Sequence, residues 1–227
     1  SSSQNVVVSV VDLNDNTAVI SSGTTGSVNE NADTSTVIYT AVATDADGTT
    51  ANNTLTYSLT GADANLLTID AVTGEVRLKN AADYETKASY SFTVVASDGT
   101  LSSSQDVVVS VIDLNDNTAV ISSGATGSVN ENAATDTVIY TAAATDADGT
   151  SAHNTLSYSL SGADADLLTI DATTGEVRLK NAADYESKSS YSFTVVASDG
   201  TLSSSQNVVV SVVDLNDNTA VISSGTT

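Results

Sequence analysis

DLNDNTAVISSG occupies residues 12–23 and returns unchanged at 113–124 and 214–225. Each copy starts 101 residues after the one before, so residues 17–117 and 118–218 align without a gap. The two stretches differ at 14 positions, mostly small exchanges such as Thr56/Ser157, Thr60/Ser161 and Ile112/Val213. A period of that length is a whole domain rather than a short solenoid unit. The chain is therefore read as two complete repeats, 17–117 and 118–218. Residues 1–16 are the terminal strand and linker of a preceding repeat, and 219–227 the first strand of a following one. Near-identity points to recent duplication within a longer array, and the partial ends are expected to pack less well than the two bodies.

Inside each repeat, apolar residues alternate with polar ones at the period of a strand. Val37/Tyr39/Ala41, Leu55/Tyr57/Leu59, Val76/Leu78, Tyr90/Phe92/Val94/Ala96 and Val107/Val109/Val111 each mark one inward face. SSG, DADG, TGAD, DAVTG and SDG supply the turns between them. With TAVISS and LLTID this predicts roughly seven strands per repeat, while NAADYETK supplies one helical turn at most. Thr, Ser, Val and Ala dominate and good helix formers are few, which favours strands. The fold class is all-β: two tandem seven-stranded Greek-key, immunoglobulin-like sandwiches, end to end. Tyr39, Tyr57, Tyr90 and Phe92 are the large core members, so each repeat has modest intrinsic stability and room for an external stabiliser.

Charge narrows the partners. Against 28 Asp plus Glu stand 6 Lys plus Arg, a formal charge of −22. Nucleic acid and anionic membrane surfaces require a basic patch and are not expected as partners. Cys is absent, which removes disulfides and thiolate metal sites. No signal-peptide pattern and no apolar run of membrane-spanning length appears, and the lack of Met suggests an excised segment.

The acids recur in five motifs per period: SVNENA (Glu30; Glu131), ATDADG (Asp45, Asp47; Asp146, Asp148), ADYE (Asp83, Glu85; Asp184, Glu186), ASDG (Asp98; Asp199) and DLNDN. Each falls at a strand end, where a sandwich gathers its loops. Calcium takes about six to eight oxygens from carboxylates, amides and carbonyls, and no His or Cys cluster suggests zinc or copper. At the junction of the two complete repeats, Glu30, Asp83 and Glu85 of the first would meet Asp146, Asp148 and Asp199 of the second. The linker would add Asn115, Asp116 and the carbonyls of Leu114 and Asn117. Two carboxylates about 4 Å apart repel by about 4 kcal/mol at an effective dielectric near 20, so such a gathering calls for cations.

The motifs in this order resemble cadherin repeats: NEN, DAD, the TG turn in IDAVTGEVRL, DYE, ASDG and a closing DxNDN linker. The resemblance covers both complete bodies and both partial ends. It implies about three calcium ions at the middle junction, which turn a flexible string into a stiff rod. It assigns Glu30, Asp83, Glu85 and Asp116 to the first two ions, with Asp148 shared. The third ion would take Asn115, Asp146, Asp148, Asp199 and the carbonyl of Asn117. At the N-terminal linker Asn14, Asn16, Asp45, Asp47 and Asp98 would hold an ion of the third kind. At the C-terminal one Glu131, Asp184, Glu186 and Asp217 would hold the first two, with Leu215 in the place of Leu114. Fewer ions are expected at these half-built ends. The backbone-carbonyl ligand falls on Asn52 in the first repeat and on His153 in the second.

Departures from the family pattern are informative. Thr118-Ala119 stands where a Pro is common, and the Trp that some animal members exchange between partners is missing. Near-identical copies without Cys or Pro look most like a large bacterial surface adhesin. A bland reading remains for single motifs: DLNDN alone could be an Asx-type turn. Asp63, Asp70, Asp164, Asp166 and Asp171 read as solvent-facing loop charges, and His153 as a loop residue. Asp83 and Glu85 have no nucleophile or apolar pocket near them, so no enzyme is expected. The function expected is that of a calcium-rigidified extracellular spacer at the cell surface, contacting neighbouring repeats. The alternative is a module that itself adheres, to another copy or to a surface glycan.

Overall fold

Strands form where β-branched residues alternate with Ser and Thr. In the computed structural model, which describes residues 1–221, the chain divides into two units, one ending at Leu114 and the other beginning at Asn115. The first unit contains β1 (Val19–Ile20), β2 (Thr25–Asn29), β3 (Tyr39–Thr40), β4 (Ala43–Thr44), β5 (Thr56–Thr60), β6 (Leu67–Ile69), β7 (Glu75–Leu78), β8 (Ser89–Ser97) and β9 (Ser102–Ile112). One sheet has the order β2-β9-β8-β5 and the other β3-β7-β6. The leading strand is divided: β1 pairs antiparallel with β4, whereas β2 runs parallel to β9, with Val28 opposite Val111.

Side chains hold that division in place. The Tyr39 hydroxyl donates to the Gly23 carbonyl at 2.6 Å and lies 2.7 Å from Ser22 Oγ. Gln105 Nε2 donates to the carbonyls of Ser22 and Gly23 at 2.8 and 2.9 Å. The carbonyls of Ser22 and Gly23 at the switch are thus satisfied by side chains rather than by a ladder.

The two sheets enclose Val28, Ile38, Leu67, Val76, Phe92, Val94, Val107 and Val109, with Tyr39 edge-on to Phe92 at 6.0 Å. Alternation in β8 and β9 matches the sequence reading, since Tyr90, Phe92, Val94 and Ala96 and Val107, Val109 and Val111 are all buried. The expectation for Val37/Tyr39/Ala41 needs correction. Val37 is exposed, while Ile38 and Tyr39 are both buried side by side. Regular alternation fails there because strand pairing is short: β3 and β4 are two residues each, separated by Ala41-Val42. At the turn before β7, Gly74 has φ +72°, and a Cβ there would sit 2.4 Å from the Ala41 carbonyl oxygen.

The second unit repeats the plan with β10 (Val120–Ile121), β11 (Thr126–Asn130), β12 (Val138–Thr141), β13 (Ala144–Thr145), β14 (Ser157–Ser161), β15 (Leu168–Ile170), β16 (Glu176–Leu179), β17 (Ser190–Ser198) and β18 (Ser203–Val213). Its sheets have the orders β11-β18-β17-β14 and β12-β16-β15, and β11 again runs parallel to the last strand. Phe193, Val177, Val195, Val208 and Val210 lie at the centre of its core. The helical content is slight: one turn at Thr50–Asn53 and 3-10 turns at Ala64–Leu66 and Ala165–Leu167.

Residues 1–11, expected as a terminal strand, carry no strand, and Val6, Val7, Val8, Val10 and Val11 are exposed. None of the sheets among the described residues includes this segment, so its backbone has no ladder to join. The expected following strand, 219–227, lies mostly outside the described residues, and 219–221 form no strand.

Candidate functional site

Both ends of each unit carry acids on loops that the strands bring together. At one end of the first unit, Glu30 follows β2 directly and is 2 % exposed. A carboxylate so buried requires donors. Tyr84 N–H donates to its Oε2 at 2.9 Å and Leu114 N–H to its Oε1 at 2.6 Å. The turn is made possible by Asn31, which adopts φ +58° immediately afterwards, a conformation Asn tolerates better than most residues. Carboxylate oxygens of Glu30, Asp83 and Glu85 lie within 4.8 Å of one another. In the second unit Glu131, also 2 % exposed, accepts from Tyr185 and Leu215 N–H, and groups with Glu186 and Asp217 within the same distance. A recess of about 340 Å³ beside that group is lined by Glu186, Asp214, Leu215, Asn216 and Asn218.

The opposite end of the first unit gathers Asp45, Asp47 and Asp98, whose oxygens again lie within 4.8 Å. The linker approaches them: Asn16 Nδ2 donates to Asp47 Oδ1 at 2.7 Å. Asp47 N–H donates to Asp45 Oδ1 at 3.0 Å. Asp98 Oδ1 accepts the N–H groups of Thr100 and Leu101 at 2.7 and 2.8 Å, and these hold its carboxyl below the usual carboxylate range. The second unit is built alike from Asp146, Asp148 and Asp199. There Asn117 donates through both N–H and Nδ2 to Asp148 Oδ1, at 3.1 and 2.9 Å, and Asp116 Oδ1 accepts from Asn117 Nδ2. The Thr201 N–H is the main cause of a lowered Asp199 carboxyl.

One feature of these two ends separates them from ordinary acidic loops. Asn14 Oδ1, Asp45 Oδ2 and Asp98 Oδ2 in the first unit are buried with no hydrogen-bond donor. So are Asn115 Oδ1, Asp146 Oδ2, Asp148 Oδ2 and Asp199 Oδ2 in the second. Buried oxygens are normally paired, and like charges so close do not coexist bare. A hard cation fits the requirement, because all seven atoms are carboxylate or amide oxygens, the donor set calcium prefers.

Several expected residues have other roles. Asp184 does not join Glu131 and Glu186; it accepts from Ser187 N–H at 3.2 Å and Ser187 Oγ at 2.7 Å. Asp83 makes the same cap on Thr86 and yet stays in its group. Leu114 and Leu215 act here through their N–H groups on Glu30 and Glu131. Asn52, expected through its backbone carbonyl, uses its side-chain amide to donate to Asp12 at 2.8 Å. His153 Nδ1 lies 3.5 Å from Thr150 Oγ1, and the ring stands in none of the acidic groups.

Of the acids expected as solvent-facing loop charges, Asp70, Asp166 and Asp171 are exposed, whereas Asp63 and Asp164 are half-buried. Asp63 accepts the Ser91 N–H at 2.7 Å and pairs with Lys87 Nζ at 2.9 Å, and Lys87 lies 5.5 Å from the Tyr90 ring centre. Asp164 repeats this with Ser192 and Lys188. Asp70 and Asp171 each accept two turn N–H groups. The sequence reading missed Asp12 as well, although its fixed place as the first letter of DLNDN was the available signal.

Paired sheets with acids converging at each end, twice along one chain, define a class of tandem β-sandwich repeats with oxygen-rich ends. The sequence profile of the Cadherin domain matches residues 24–112 and 125–213, and the chain belongs to the cadherin family. It is 36 % identical over 229 residues to human Protocadherin Fat 1, covering 97 % of this chain and 5 % of that protein. The Drosophila melanogaster Fat-like cadherin-related tumor suppressor homolog is 34 % identical over 227 residues, covering 96 % of this chain and 5 % of that protein. Among solved structures, mouse Cadherin-23 EC22-24 is similar with a TM-score of 0.78 and 28 % identity, covering 90 % of this chain and 67 % of that one. The Protocadherin GammaB4 extracellular domain gives 0.80 and 28 %, covering 92 % of this chain and 33 % of that one. The chain thus spans about one-twentieth of the curated relatives first matched. Those relatives are animal proteins, whereas the sequence resemblance had pointed to a bacterial adhesin. Cadherin domains are adhesion modules, not enzymes. No helix among the described residues is long and apolar enough to cross a membrane.

Proposed function

We propose that this chain is a calcium-stiffened spacer segment of a larger extracellular, cell-surface adhesion protein, with repeat bodies at 17–117 and 118–218. Cadherin domains in general bind calcium. The observation that carries the reading here is the convergence of buried, donorless oxygens: Asn14, Asp45 and Asp98 in one unit, and Asn115, Asp146, Asp148 and Asp199 in the other. Asp47 and Asn16, and Asp116 and Asn117, complete these two sets. Glu30, Asp83 and Glu85 form a further calcium-binding set, as do Glu131, Glu186 and Asp217. Calcium supplies positive charge to each set. The chain's own residues fix the set: Glu30 is positioned by backbone donors, Asp98 by its turn, and the linker by its amides. Fastening the DLNDN linker to the body that follows it removes the freedom a spacer cannot have.

Near-identity of the copies favours the spacer over a dedicated binding module, because no repeat carries a special loop of its own. It also favours a long bacterial adhesin as the larger protein, together with the absence of Cys and Pro. A calcium titration followed by calorimetry and small-angle scattering tests the reading. Saturation at about 1,000 times the dissociation constant adds about 4 kcal/mol per site, so melting should rise by many degrees and the scattering dimensions should change. Identical melting and dimensions in calcium and in chelator refute the proposal. Self-association or glycan binding that requires calcium would instead support direct adhesion.

A further inference from the structure

The linker of the first unit is held in two chemically distinct ways. Asn14 and Asn16 face the acidic group, where oxygens remain without donors. Asp12 does not. Its Oδ1 accepts the Gly48 N–H at 3.2 Å, and its Oδ2 accepts the Thr49 N–H at 3.1 Å, the Thr49 hydroxyl at 2.9 Å and the Asn52 amide at 2.8 Å. Four donors from one loop engage the two oxygens, one at Oδ1 and three at Oδ2. Both oxygens of this carboxylate thus have donors from the protein itself, and no atom of Asp12 is among the donorless buried oxygens. The Gly48 position is also tight: a Cβ there would meet Asp12 Oδ1 at 3.3 Å, so the loop lies directly against the carboxylate.

We infer that Asp12 is a metal-independent latch, which seats the linker on the loop at residues 48–52 before any cation binds and so pre-places Asn14 and Asn16 beside Asp45, Asp47 and Asp98. The inference rests on the calcium reading only for its second half; the latch itself is made of hydrogen bonds alone. Asp12 is a positioning residue. It acts through the two asparagines that follow it, and the short turn Thr50–Asn53 exists to present Asn52 to it. Only Leu13 separates Asp12 from Asn14, and only Asp15 separates Asn14 from Asn16, so seating the first fixes the reach of the others. Preorganisation of this kind raises affinity by removing ordering cost from the binding step.

The test is amide hydrogen exchange on the full chain, in chelator and in calcium, with Asp12→Asn and Asn52→Ala. In chelator the wild-type Gly48 and Thr49 amides should exchange at least about tenfold more slowly than in Asp12→Asn, as expected on losing hydrogen bonds to a charged acceptor. Asn52→Ala should lie between the two, because it removes one donor of four. Calcium affinity at the Asp45/Asp47/Asp98 group should fall several-fold in Asp12→Asn, while the Glu131/Glu186/Asp217 group is unchanged. If wild-type Gly48 and Thr49 are unprotected in chelator and become protected only with calcium, the latch is refuted. Protection in chelator that is lost in Asp12→Asn supports the latch even if no calcium binds anywhere, an outcome that would sink only the spacer proposal.

Discussion

Glu30→Gln isolates what a buried carboxylate does at the loop end of a repeat. The wild-type side chain is 2 % exposed, and each of its oxygens accepts one backbone N–H, from Tyr84 and from Leu114. Glutamine has the same shape but only one acceptor oxygen. Its amide nitrogen must face one of the two N–H groups, donor against donor. A buried donor left without a partner costs about 1–3 kcal/mol. For a domain of about 100 residues each kcal/mol shifts melting by about 4–8 °C, so the first repeat should melt about 5–20 °C lower in chelator. The loss needs no metal, since both partners are backbone groups of the same unit. Differential scanning calorimetry in chelator reads it, with Glu131→Gln as the mirror experiment on the second unit. A Glu30→Gln protein that melts within about 2 °C of wild type in chelator would show that these two N–H groups do not depend on the carboxylate, and the account of this end would fail.

Asp98→Asn retains the oxygen that accepts from Thr100 and Leu101 and replaces the donorless one. It should weaken calcium binding about tenfold or more, measurable by isothermal titration. Gly74→Ala forces a Cβ to 2.4 Å from the Ala41 carbonyl at φ +72°, and should destabilise the first repeat by about 2–5 kcal/mol in urea unfolding. Asp63 titrates below the usual carboxylate range, first because of the Ser91 N–H and then because of Lys87. A carboxyl lowered in the folded state contributes stability that is fully present above its ordinary value and is lost as pH falls through the folded one. Asp63→Asn should therefore flatten the acid side of the stability curve below about pH 4, and an unchanged slope would contradict the pairing with Ser91 and Lys87.

Sequence period made the sheets legible where ladders are long. Tyr90 to Ala96 and Val107 to Val111 alternate because β8 and β9 pair along nine registered residues. It misled at Ile38, where pairing is brief and two neighbouring side chains both turn inward. The acidic groups were legible because their motifs sit at strand ends in fixed order, and folding brings strand ends together. Roles within them were not. Composition cannot distinguish a carboxylate engaged by four donors, as at Asp12, from one left open, as at Asp45. Nor can local reading pair Asp63 with Ser91, whose N–H arrives from 28 residues along the chain.

The parallel pairing of β2 with β9 has a mechanical consequence. β2 lies near the start of the repeat and β9 closes it. Tension applied at Thr25 and Ile112 drags them past each other lengthwise, so the hydrogen bonds between them are loaded together in shear. An antiparallel closing pair pulled from one end would instead peel open bond by bond. The same arrangement of β11 and β18 gives the second unit a clasp that tension would likewise load in shear.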